Sequence, residues 1–104
     1  MALISLEEAK SYLRVDTEDE DAMISVLLSS AGKLCADVAR FTDEQWAAVN
    51  NDNEDAALAS TRETMRVAIL YTLGYLFEHR EEADHHRLQL TLRSLLFGIR
   101  EGAV

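Results

Sequence analysis

The chain has 104 residues, 48% of them hydrophobic and 28% charged, and a formal net charge of −9. That length suits one domain around one core, and the composition is too apolar for a disordered chain and too interrupted for a membrane protein. Residues 1–60 hold thirteen acidic and four basic side chains while residues 61–104 hold six of each, so the excess is N-terminal and a phosphate backbone would be repelled.

The opening Met1-Ala2-Leu3-Ile4-Ser5 has neither a basic region nor a long apolar run, so the expectation is a cytosolic chain without a signal or transit peptide. Ser5-Leu6-Glu7-Glu8 is a capping box, with the Ser5 hydroxyl accepting from the Glu8 amide and the Glu8 side chain reaching back. A first helix follows to about Arg14, with Leu6, Ala9, Tyr12 and Leu13 on one stripe. After a turn at Val15 and Asp16, Thr17-Glu18-Asp19-Glu20 reads as a second capping box. It opens a helix running to about Arg40, with Ile24, Leu27, Leu28, Ala31, Leu34, Cys35 and Val38 in helical period. Cys35 is the single cysteine, so no internal disulfide is possible, and its neighbours make it a small buried hydrophobe.

Residues 41–55 are rich in Thr, Asp and Asn around Trp46, an irregular connection in which helix resumes briefly over 43–49. Trp46 is read as the anchor of this connection, with a partner contact as the other reading. A third, longest helix is predicted from Asp55 to Arg80, with Leu58, Thr61, Met65, Ala68, Ile69, Thr72, Leu73, Leu76 and Phe77 on one face. Its apolar stretch from Ala68 to Phe77 is half the length needed to span a bilayer. Tyr71 and Tyr75, four apart, read as a packing pair. Leu88, Leu90 and Leu92 alternate like an extended strip, and then Leu92, Leu95, Leu96 and Ile99 take helical spacing with Phe97 beside them. The fold class is all-α, a small bundle of about four helices in one domain over residues 1–104, with an irregular loop between the second and third. The crowded C-terminal leucines and Phe97 leave apolar surface that calls for a partner.

Chemical motifs are sparse. The acidic run Asp16, Glu18, Asp19, Glu20, Asp21 fails as a calcium loop, because counting from Asp16 puts Asp21 at the position that needs glycine and Leu27 at the one that needs a bidentate Glu. Those carboxylates are better explained by the positive end of a helix macrodipole. His79, His85 and His86 lack the four-residue spacing of a zinc helix, and the adjacent pair projects on different sides. No phosphate loop, dinucleotide glycine pattern or nucleophile elbow occurs. The residues thus support neither an enzyme nor a cofactor. A small DNA-binding regulator and a metal-dependent hydrolase built on the three histidines stand as the rival classes.

Leu6-Glu7-Glu8-Ala9-Lys10, Tyr12-Leu13-Arg14-Val15-Asp16 and Glu20-Asp21 ahead of Ile24, Leu28 and Ala31, followed late in the chain by Ala68-Ile69-Leu70, Tyr75-Leu76-Phe77-Glu78-His79-Arg80-Glu81-Glu82, Arg93-Ser94-Leu95-Leu96 and Arg100, together resemble the head-tail connector (adaptor) proteins of tailed phages and prophages, sometimes labelled DNA packaging proteins. Members often carry a Thr-Gly-Arg-like turn after the second helix and a proline before the last. Here Phe41-Thr42-Asp43 stands in the first place, and no proline occurs anywhere.

The resemblance implies a virion protein of the phage neck, assembled in the host cytoplasm. It implies a homo-oligomeric ring beneath the portal, matching its twelvefold symmetry, which prolongs the DNA channel and receives the tail or stopper. DNA is then passing cargo, and no membrane is involved. A head-to-tail ring needs two complementary patches. The acidic N-terminal half faces a C-terminal half bearing Arg62, Arg66, Arg80, Arg87, Arg93 and Arg100. Arg93, Leu95, Leu96, Phe97 and Arg100 are the expected contact with a neighbour or the portal. Asp16 and Glu18 to Asp21 are the expected channel patch, keeping DNA from sticking by like charge.

Overall fold

The computed structural model describes residues 3–51, 56–79 and 85–99, all of whose regular structure is helical. Five α-helices follow in order: α1 Leu6–Leu13, α2 Asp21–Val38, α3 Asp43–Asn50, α4 Ala56–Glu78 and α5 His85–Leu96, with a 3-10 turn over Phe97–Ile99. The count exceeds the expected four because α3 is a full helix of eight residues rather than a brief resumption. Thr42 and Gln45 form its capping box, with Gln45 N–H donating to Thr42 Oγ1 at 3.1 Å and Thr42 N–H to Gln45 Oε1 at 2.8 Å. No described helix is long and apolar enough to cross a membrane.

α1 begins as its sequence predicts, with the Glu8 amide donating to Ser5 Oγ at 3.1 Å. The Glu8 carboxylate does not reach back to Ser5, however, because Arg66 of α4 holds it. α2 corrects the second predicted box. Its first residue is Asp21, and Glu20 occupies the cap position without a side-chain bond. Residues 17–20 instead form the turn that brings Asp21 back against α1, where Lys10 Nζ lies 2.7 Å from its carboxylate. α1 and α2 end alike. Arg14 and Arg40 adopt the left-handed region with φ of 59° and 61°. Val15 N–H then reaches Lys10 C=O at 2.9 Å and Phe41 N–H reaches Ala36 C=O at 3.0 Å, the six-to-one bond that closes a helix C-terminus.

The core is centred where α2 and α4 cross, with α1, α3 and α5 packed around them. Ile24, Ala31, Cys35 and Ala36 from α2, with Ala39 just past its end, meet Met65, Ala68, Ile69, Leu73 and Leu76 from α4. The run of small residues lets the two backbones approach closely. At the centre Thr72 is fully buried. Its hydroxyl donates to Ala68 C=O at 2.8 Å and lies 3.4 Å from Cys35 Sγ, so this buried hydroxyl is satisfied. Trp46 of α3 packs on this core against Gly32, where an added Cβ would stand 3.1 Å from the indole. The anchoring reading of Trp46 therefore holds.

The expected extended strip at 88–92 is helical. Leu88, Leu92 and Leu96 recur every four residues and all enter the core, between α2 and α4. Leu90 falls on the opposite side and is half exposed. A helix with leucine on two faces produces in sequence the same alternation as a strand.

Candidate functional site

The predicted contact residues divide between core and surface. Leu96 is fully buried and Leu95 and Phe97 are 41% and 58% exposed, so Leu96 supports the surface rather than forming it. Its four-residue spacing from Leu92 leaves it no other side. Arg93 is exposed on the same helix. Arg100 lies outside the described residues, as do Arg80, Glu81 and Glu82. The outward side of α5 thus presents Leu90, with Arg93 at its edge beside Asp37 of α2, the 3-10 turn adds Phe97, and Leu95 lies on the flank.

Two of the C-terminal arginines set against the acidic half are held inside the fold. Arg62 donates to the carbonyls of Val49 and Asn51 at the end of α3, where a cation meets the negative end of that helix. Arg66 donates to Leu3 C=O at 2.7 Å and pairs with Glu8 through both carboxylate oxygens. Leu3 N–H in turn donates to Asn50 Oδ1 at 3.1 Å. Arg66 is therefore a clamp that ties the N-terminal segment and α1 to α4. Sequence spacing gave no sign of it, because the pairs lie 58 and 63 residues apart.

Within the acidic run, Asp16, Glu18 and Asp19 are exposed and Glu20 and Asp21 half-buried. They cluster at the turn from α1 into α2, and Asp21 is held by Lys10. Exposed carboxylates at this end form a negative surface patch.

The histidines offer no constellation. The His79 ring stacks on Tyr75 with centroids 4.3 Å apart, and its Nδ1 lies 3.0 Å from Tyr75 C=O. Tyr75 thus stacks on an imidazole, and it borders one groove together with Tyr71. The side chains of His85 and His86 lie outside the described ones. No cluster of three metal-ligating side chains exists among the described residues. Burial pushes the Cys35 thiol up to about 11, against a smaller lowering by the Thr72 hydrogen bond, which is the opposite of an activated nucleophile. The cleft bordered by Ser25, Ser29, Trp46 and Asn50 has no ionisable side chain in its lining, so its serines have no base beside them.

What the molecule offers is surface: an outward apolar face on α5 and an acidic patch at the start of α2. No curated protein and no solved structure matches the chain. A family model, described as phage gp6-like head-tail connector protein, matches residues 3–101. That span runs from the clamped N-terminal segment through every helix, and so the chain belongs to the phage gp6-like head-tail connector family, the structural proteins that join a phage head to its tail.

Proposed function

We propose that copies of this chain form a ring beneath the portal, with the portal's twelvefold symmetry, that prolongs the DNA channel and docks the tail or stopper. The observation that carries this reading is the surface at α5, where Leu90 and, in the 3-10 turn that follows, Phe97 stand exposed on the outward side, with Leu95 exposed on the flank, while the opposite face is already core. Apolar side chains grouped on one face, rather than scattered singly, call for a partner. Arg93 adds a charge that selects among partners. The acidic patch of Asp16, Glu18, Asp19, Glu20 and Asp21 faces the channel in this reading, where like charge keeps DNA moving.

Complementation of virion assembly tests it. Phe97→Asp and Arg93→Glu should each lower the yield of infectious particles while leaving purified protein folded by circular dichroism. Unchanged yield from both variants would overturn α5 as the docking surface.

A further inference from the structure

Two short pieces of the chain owe their place to a single turn of α4. Residues 3–5, which precede α1 and are not helical, bury Leu3 and Ile4 almost completely. α3 has eight residues, too few to stay helical alone, since isolated helices shorter than about 12 residues are marginal in water. Of its side chains Val49 is buried and Trp46 half-buried, so its apolar anchorage is small.

Polar bonds make up the difference. Arg62 and Arg66 stand four residues apart on α4 and so project on one side of it. The first donates to the end of α3, to Val49 C=O at 2.6 Å and to Asn51 C=O. The second donates to Leu3 C=O at 2.7 Å and pairs with Glu8. The two pieces are also joined directly, by Leu3 N–H donating to Asn50 Oδ1 at 3.1 Å. These bonds run in a circuit, from α4 through α3 to residue 3 and back to α4. Loss of either piece therefore costs the other a hydrogen bond. It also strips a wall from the cleft of about 370 Å³ that both border together with Leu28, Gly32 and Ile69. The fully buried side chains of the α2–α4 crossing, Cys35, Met65 and Leu73 among them, take no part in the circuit.

We propose that residues 3–5 and α3 open as one unit, a lid over that cleft latched by Arg62 and Arg66, while the α2–α4 crossing stays closed. Proteins open locally in cooperative units, and those units come from segments with little buried apolar contact. The circuit makes one unit of two segments that lie 38 or more residues apart in the chain. Its opening uncovers Leu28, Gly32 and Ile69 without unfolding the rest.

Native-state hydrogen exchange of the full chain tests this. In urea below the unfolding transition, the amides of Leu3, Trp46 and Asn51 should share one opening free energy and one urea dependence, both below those of Leu73 inside α4. Arg66→Ala, which cuts the latch on residue 3, should speed exchange at Trp46 and Asn51 about ten- to a hundredfold, as loss of a hydrogen bond to a charged group implies. Arg62→Ala, which cuts the latch on α3, should do the same at Leu3. Variants that each move only their own piece would overturn the common lid, and so would different urea dependences for Leu3 and α3 in the wild type. An equal rise at Leu73 would overturn it too, because the opening would then be global. The wild-type comparison decides by itself if a variant does not fold.

Discussion

At residue scale, Cys35 shows how burial decides chemistry. Its thiol sits at the α2–α4 crossing and is pushed up to about 11 from an ordinary value of 9.0. Between those values the folded thiol keeps a proton that the unfolded one has lost, so stability is complete below pH 9.0 and falls as pH rises toward 11. The loss amounts to roughly 2–3 kcal/mol. The stability difference between wild type and Cys35→Ala, measured by denaturant titration, should therefore be constant up to pH 9.0 and shrink above it. Curves that stay parallel through pH 11 would contradict this. The burial itself was legible from Leu34, Val38 and Ala39 around the cysteine. The Arg66 clamp was not, because an arginine's partners are set by tertiary approach and carry no local pattern.

Helices were legible where one stripe was apolar and the other polar, as in α1 and α2. The approximate limits of α4 followed from its periodic face. Boundaries failed where two local signals competed. Thr17-Glu18-Asp19-Glu20 has the spacing of a capping box, yet the pull of Lys10 on Asp21 goes with a turn there instead. The Thr42 and Gln45 box carries the same signature and opens the helix expected over 43–49, inside a segment whose Asn-rich end reads as irregular. In α5 both faces carry leucine, so period two and period 3.6 fit equally well over five residues. Only the core settles which leucines matter. Leu92→Ala should cost about 2–5 kcal/mol of stability by leaving a cavity, whereas Leu90→Ala should change it by about 0.5 kcal/mol or less. Equal costs in urea titrations would show that α5 does not pack as described.

For the whole molecule, principal extents of 41 × 31 × 19 Å make a slab, only about two helix diameters thick. A slab this thin gives nearly every helix a solvent side, which is why apolar groups surface on α5 and at Tyr12 and Tyr71. The N-terminal excess of acid was plain in sequence, but two of the arginines set against it, Arg62 and Arg66, brace the fold instead. The acidic end and the outward side of α5 remain as exposed charged and apolar surface. The most direct measurement is the copy number of this chain in purified virions of the phage or prophage that encodes it, by quantitative mass spectrometry against the portal. The account predicts a fixed ratio of about one copy per portal subunit, as a ring matched to the portal requires. Virions that are complete and infectious without the chain would contradict it.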